Sequence, residues 1–222
     1  MNATKRGILM GMVWGDGCIK PKRHTLKTGK KVTYYEFVIG HSSKQKEYIE
    51  AKRDRFHSIF GGKKPKISSR SFKLKGYETE HTELRFSRQH KYFSTLYHWC
   101  YPKGKKTYTR KALDYLNPEG IAYWLMDDSG LSKKKRKDGS TIPSEMRLFT
   151  YCSEEEVEVI VKYFFEVWGI QGKKRFYKKD SKWNVVFNME NSKKLELLVK
   201  DFFVPSMFYK LPSNWSTRAQ DT

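Results

Sequence analysis

The sequence predicts an α+β protein built from two pseudo-twofold related αββαββα halves, and three observations predict it. A short apolar helical segment ending in an acid occurs twice, at residues 7–16 and again at residues 120–128. Each is followed by the same succession of hairpin, polar helix, strand pair and closing helix. Finally, 222 residues with 38% hydrophobic and 15% aromatic content supply enough apolar surface for a packed core, although 31% of the chain is charged. An internal duplication governs the rest of the reading, because each feature can be compared with its copy.

The elements follow in order. The first segment reads Gly-Ile-Leu-Met-Gly-Met-Val-Trp-Gly-Asp and the second Gly-Ile-Ala-Tyr-Trp-Leu-Met-Asp-Asp, both apolar at helical spacing. After Asp16 comes the basic stretch 20–31 with a turn at Thr28-Gly29, then a β-rich run over 32–39. After Asp128 come residues 133–137, a turn at Asp138-Gly139 and the run 146–151. Both read as hairpins with basic arms. Ser42-Ser43 starts a polar helix reaching about Phe60, and Ser153 followed by Glu156, a capping box, starts one reaching about Trp168. Gly61 and Gly169 stop them. Strand pairs over 66–74 with 82–87, and 173–178 with 183–188, precede closing helices over 89–99 and 192–203. Tyr101-Pro102 then leads to Lys106, and Val204-Pro205 to Lys210. The expected division is an N-terminal half over 1–106 with its closing loop, a linker over 107–117, a C-terminal half over 118–212 and a polar tail over 213–222.

A formal charge of +21, from 45 Lys and Arg against 24 Asp and Glu, points to a polyanionic partner. The basic residues are interleaved with Tyr, Ser, Thr and Asn and form no long amphipathic helix, which favours nucleic acid over a membrane surface. Cys18, Cys100 and Cys152 form no Cys-x-x-Cys pair, so neither a disulfide framework nor a zinc site is supported. No run approaches 18 apolar residues. The expected location is intracellular and soluble, in cytoplasm or an organelle matrix. The six histidines (His24, His41, His57, His81, His90 and His98) all lie in the first half without a metal-binding arrangement and read as surface or packing residues.

Gly7, Gly11 and Gly15 sit four apart on one helical stripe, which lets a second helix approach closely. If that partner is the second apolar helix, Asp16 and Asp128 emerge at the same end. Two carboxylates held there repel unless a divalent cation neutralises them. Hard oxygen ligands favour Mg²⁺, with Mn²⁺ substituting and Ca²⁺ binding without supporting cleavage, and paired acidic sites suit two phosphodiester cleavages.

The same residues carry a family resemblance. Residues 9–17, Leu-Met-Gly-Met-Val-Trp-Gly-Asp-Gly, resemble a first LAGLIDADG motif, and residues 121–129, Ile-Ala-Tyr-Trp-Leu-Met-Asp-Asp-Ser, resemble the LAYWFMDDG form of a second. Residues 205–212 are similar to the closing segment of double-motif members. The chain therefore resembles a single-chain LAGLIDADG homing endonuclease over nearly its whole length. That resemblance implies a metal-dependent double-strand break in a long, non-palindromic DNA target, one strand per active site, made by a monomer. It implies Asp16 and Asp128 as catalytic metal ligands, carbonyls of Gly15 and Asp127 as further ligands, and Lys106 and Lys210 as the basic residue beside each site. Ser129 and Tyr123 replace motif glycines, so the second helix is expected to pack with more bulk than the first. The alternative on the same scaffold is an RNA-binding intron maturase, with intron RNA as partner. A third reading, a DNA-binding regulator, fits less well because both acids are present. The lack of flanking splicing segments favours an intron-encoded or free-standing protein over an intein.

DNA recognition falls to the strands, the sheets forming a DNA-binding saddle with the motif helices at its centre, since a two-stranded ribbon fits the major groove. The candidates in the first half are Lys20, Lys22, Arg23, Lys31, Arg70, Lys73, Lys75 and Arg85. In the second half they are Lys133, Lys135, Arg147, Lys173, Arg175, Lys178 and Lys182. If about ten phosphates are neutralised, log affinity falls with log salt at a slope near −9.

Overall fold

A computed structural model describes residues 1–73, 79–139 and 141–213. The elements are α1 (Ala3–Trp14), β1 (Cys18–Thr25), β2 (Lys31–Ser42), α2 (Lys46–Phe60), β3 (Ser68–Lys73), β4 (Glu80–Gln89), α3 (Tyr92–Cys100), α4 (Arg110–Leu113), α5 (Pro118–Asp128), β5 (Ser129–Lys135), β6 (Thr141–Cys152), α6 (Glu154–Trp168), β7 (Gly172–Tyr177), β8 (Lys182–Asn188) and α7 (Met189–Val199). The expected order αββαββα is present twice. Leu74 and Lys75 lie outside the described residues. Among those described, no helix is long and apolar enough to cross a membrane.

The helix boundaries have local causes. Asn2 accepts from the Lys5 N–H to start α1, and Asn117 accepts from Gly120 with Pro118 in the first turn of α5. Ser153 and Glu156 form the reciprocal capping box on α6. Ser42 instead caps a 3-10 turn over Ser43–Gln45, and α2 begins only at Lys46. Both α2 and α6 end on glycines in positive φ, Gly61 at 65° and Gly169 at 64°, where a Cβ is penalised.

The chain packs as two compact units, residues 16–102 and residues 1–15 joined with 103 onward. The unit of residues 16–102 contains an antiparallel sheet of order β1-β2-β4-β3. One face buries Ile19, Phe37, Ile39 and Phe86. Phe56 of α2 stacks on Phe37 at 5.0 Å and Phe93 of α3 lies 5.8 Å from the same ring. Each such aromatic contributes roughly 1.5–3 kcal/mol by leaving water.

The other unit contains a sheet of order β5-β6-β8-β7, antiparallel throughout, with Met146, Leu148, Val185 and Phe187 buried on one face. Its pairing slips between Ser132 and Lys133 and again between Leu148 and Cys152, whereas among the described residues the first sheet pairs in continuous register. Trp14, Tyr108, Trp124, Phe164 and Phe187 form a chain of ring contacts from α1 to β8, at 4.7, 5.5, 6.2 and 5.2 Å. Residues 107–117 join this packing: Tyr108 sits between the two tryptophans, and Thr109 caps α4.

Within this unit α1 and α5 lie against each other. A Cβ on Gly11 would sit 1.8 Å from the Gly120 carbonyl oxygen, and one on Gly120 would sit 2.2 Å from that of Gly7. The backbones touch, so no side chain fits between them. Near the other end of the pair, a Cβ on Gly15 would lie 2.0 Å from Asp127 Oδ2. The two helices thus run side by side in the same direction. The expectation that the second helix packs with more bulk than the first needs correction at the contact itself: Gly120, one turn before Tyr123, supplies the close approach, and Tyr123 is accommodated as a buried side chain.

Candidate active site

Helix α1 ends at Trp14, and the Gly15 N–H still bonds the Gly11 carbonyl at 3.0 Å. Asp16 is therefore the first residue after the helix cap. Helix α5 runs two residues further relative to the motif, with Asp128 as its last residue and Ser129 already extended. The Asp127 carboxylate fills the space that a side chain at residue 15 would need. This is the physical reason for glycine immediately before Asp16 in the first motif.

A helix C-terminus leaves carbonyls without intrahelical donors and carries the negative end of the dipole. Both motif helices meet that demand with a lysine. Lys106 donates to Gly15 O at 3.0 Å, and Lys210 donates to Met126 O at 2.6 Å and Asp127 O at 2.9 Å. The two lysines expected beside the acids are thus fixed at the motif ends, each from a segment that follows a proline. Their partners include the two carbonyls expected as metal ligands. The donors expected from the sequence, carboxylates and carbonyls, are all oxygen, a set that suits a hard divalent cation better than zinc.

In the unit of residues 16–102, the Asp16 side chain is 45% exposed, and its Oδ2 lies 3.3 Å from Nδ1 of His41, whose side chain is 2% exposed. His41 Nε2 lies 3.1 Å from Nζ of Lys52, a fully buried lysine. Sequence reasoning placed His41 among surface or packing residues and did not single out Lys52. The signal was nonetheless present: His41 continues the core-facing alternation Phe37, Ile39 on β2, where a polar ring has to find partners.

The basic strand residues divide by face. Residues paired across strands share a face, and alternate residues oppose it. Lys20, Lys22, Arg70 and Arg85 lie on the face opposite Ile19, Phe37 and Phe86, open and unencumbered by α2 and α3. Arg23, Lys31 and Lys73 fall on the core-side parity but are exposed at strand ends beyond the core. In the second sheet Arg147, Lys173, Arg175 and Lys182 share the open face. Lys133 and Lys135 follow the β5–β6 slip, and Lys178 occupies the turn after β7.

These cations are not all idle. Glu145 bonds both Arg147, at 2.9 Å, and Arg175, at 2.8 Å through Nη2. Burial pushes the Glu145 carboxyl up, but the hydrogen bonds and charges of Arg175 and Arg147 outweigh it and hold the group below the ordinary carboxylate range. In the first sheet Glu36 lies 3.6 Å from Lys22, and Glu83 lies 3.0 Å from Arg70. Each open face is thus a lattice of bases set by acids.

Comparison with known proteins bears on the family and the fold. A model of the LAGLIDADG DNA endonuclease family matches residues 6–195. The chain is 25% identical over 208 residues to Protein RecA of Mycobacterium shimoidei, covering 92% of this chain and 45% of that protein. It is 29% identical over 130 residues to probable intron-encoded DNA endonuclease 3 of Mycosarcoma maydis, covering 55% of this chain and 88% of that protein. The chain therefore spans under half the length of the RecA relatives it matches. Among solved structures, the homing endonuclease I-WcaI bound to its DNA recognition sequence superposes with a TM-score of 0.71 at 22% identity, over 95% of this chain and 86% of that one. I-SmaMI bound to uncleaved DNA in the presence of calcium ions gives 0.51 at 8% identity, over 97% and 99%. At these identities the likeness to solved structures concerns the fold.

Proposed function

The chain belongs to the LAGLIDADG DNA endonuclease family, and on that premise we propose that it is a homing endonuclease making a metal-dependent double-strand break in a long, non-palindromic DNA site. The observation that carries this reading is the backbone contact of α1 with α5, which sets Gly15 against Asp127 and leaves a lysine on the last carbonyls of each helix.

Each repeat contributes one set of groups. Asp16 and Asp128, with the carbonyls of Gly15 and Asp127, would hold the cation, Mg²⁺ being the ion of choice. When bound, that ion supplies Lewis-acid polarisation of the phosphate and lowers the cost of forming a hydroxide nucleophile. The chain's own groups do the rest. Lys106 and Lys210, tethered by carbonyl bonds, present ammonium charge where negative charge grows on phosphate oxygens, and such preorganised donors contribute about 10²–10³ in rate. The tether also limits the freedom those side chains lose on binding DNA. The open sheet faces hold Lys20, Lys22, Arg70 and Arg85 in one half and Arg147, Lys173 and Arg175 in the other for phosphate and base contacts along two half-sites. Because the halves differ in sequence, the target need not be palindromic, and one chain suffices.

The test is to incubate the purified protein with Mg²⁺ and a library of long randomised duplexes and to sequence the cut ends. A discrete site with short staggered ends is expected. No cutting of any duplex, together with tight binding to a structured RNA, would overturn the proposal in favour of a maturase.

A further inference from the structure

Lys52 is the least expected residue in the core. It is fully buried on α2, nine residues before Gly61, and Ile160 stands nine residues before Gly169 on α6, also fully buried. The neighbouring positions correspond as well: Phe56 with Phe164 and Ile49 with Val157, all buried. The repeat therefore demonstrates that an aliphatic side chain fills this position. An ammonium in the same place costs several kcal/mol of desolvation, roughly, unless its donors are satisfied. On β2 the core-facing series is Phe37, Ile39, His41; on β6 the core-facing Met146 and Leu148 are followed by a slip in pairing, in which the buried polar residue is Thr150. The Thr150 hydroxyl donates to the Trp183 carbonyl at 3.0 Å, a bond within its own sheet. His41 instead spans from Lys52 to Asp16.

The chemistry of this span has a direction. With Lys52 Nζ as the donor of this contact, His41 Nε2 accepts from it. In the neutral ring the proton then sits on Nδ1, 3.3 Å from Asp16 Oδ2, and donates to it. The ring is fixed on its other sides: it lies 4.8 Å from the Tyr48 ring, and Lys52 Nζ sits 4.5 Å over that same ring. One oxygen of the partly exposed Asp16 carboxylate is thereby held by the ring.

We propose that His41 is a positioning residue for Asp16, that Lys52 sets its tautomer and orientation, and that this device serves only the first repeat's acid. The two strands of the target are then cut under unequal control. The proposal rests on Asp16 being one of the two catalytic acids, so Asp16→Asn is included as the separate test of that premise.

The experiment uses the full chain, its mapped target labelled on each strand, and the variants His41→Ala, His41→Asn and Lys52→Ile. His41→Ala should slow the Asp16-dependent strand about 10–100-fold, the scale of a misplaced reacting group, with the other strand unchanged and nicked duplex accumulating. His41→Asn, whose amide can donate from near the Nδ1 position, should recover part of that rate. Lys52→Ile takes the side chain that the second repeat carries. It should melt at the same or a higher temperature while slowing the same strand, opposite signs that a purely structural role cannot give. Independently of activity, nitrogen-15 spectra of the imidazoles should show His41 as the Nδ1–H tautomer in the wild type, with that preference lost in Lys52→Ile. Strand rates within twofold of wild type in both His41→Ala and Lys52→Ile, equal slowing of both strands, or an Nε2–H tautomer at His41 would each overturn the proposal. If Asp16→Asn cuts both strands normally, the premise fails; if it blocks one strand while His41→Ala does not, only the inference fails.

Discussion

Replacing Gly11 by alanine tests the helix contact on which the site depends. The added Cβ would meet three backbone atoms of Gly120, its oxygen at 1.8 Å, its carbonyl carbon at 2.4 Å and its Cα at 2.5 Å. Ordinary contact begins near 3.4 Å, so the helices must part by about 1.6 Å at this point. Backbone cannot rotate out of the way as a side-chain tip can. Overpacking of a core by one methyl costs typically about 1–3 kcal/mol, and a clash with backbone belongs at the upper end. The helix propensity gained from alanine returns only about 1 kcal/mol. For a chain of this length each kcal/mol is roughly 2–4 °C in Tm, so a net loss near 2 kcal/mol lowers Tm by about 4–8 °C. The catalytic effect should be larger than the thermal one, because displacing reacting groups by 1 Å costs on the order of 100-fold in rate. Differential scanning calorimetry and single-turnover cleavage of the same preparation read both quantities. Leu197→Ala, at a position 68% exposed on α7, is the control. A Gly11→Ala protein that melts within about 1 °C of wild type and cleaves at the wild-type rate would refute backbone contact between the motif helices.

Lys106→Met and Lys210→Met remove the donors from the last carbonyls of α1 and α5, so each should lose about 0.3–1 kcal/mol in a chemical denaturation curve. Cleavage in each variant should fall by about 10²–10³ while target affinity changes little. Glu145→Gln tests the acid that binds two arginines. Because the folded pKa of Glu145 lies below its unfolded value, its stabilising contribution is present above the ordinary carboxylate range and is lost as pH falls through the lowered folded value. The difference in unfolding free energy between wild type and Glu145→Gln should therefore be constant near neutrality and shrink below about pH 4.5. The same variant frees Arg147 and Arg175, so the slope of log affinity against log salt should steepen by about 1–2.

Much of the fold was legible because local chemistry and repetition agree. The Ser153 capping box, the glycine stops at 61 and 169 and the alternation of Phe37, Ile39 and His41 are all short-range patterns. The lysines at 106 and 210 were found by resemblance, and their bonds to helix-end carbonyls give that placement a physical cause. What escaped depends on crossing geometry and long-range register. Gly120 was visible in the sequence, but its importance comes from where α5 meets Gly7 and Gly11, which no helical spacing within one segment reveals. The slip between Ser132 and Lys133 is set by pairing with β6, so the faces of Lys133 and Lys135 could not be read from alternation in β5 alone. Arg147 lies two residues from Glu145 on one strand face, whereas Arg175 reaches the same acid from 30 positions away. The packing of α1 with residues 103 onward rather than with the half it begins is likewise a matter of contacts between distant segments. Lys52 needed a comparison with Ile160 that becomes compelling only once both are known to be buried.

The most direct test of the two-repeat site is strand-resolved cleavage of the mapped target by wild type, Asp16→Asn and Asp128→Asn, each measured beside its binding affinity. Wild type should yield the double-strand break, and each variant should bind the target with wild-type affinity yet yield no double-strand product. A double-strand break made by either variant at the wild-type rate would contradict the assignment of one acid from each repeat to the chemistry.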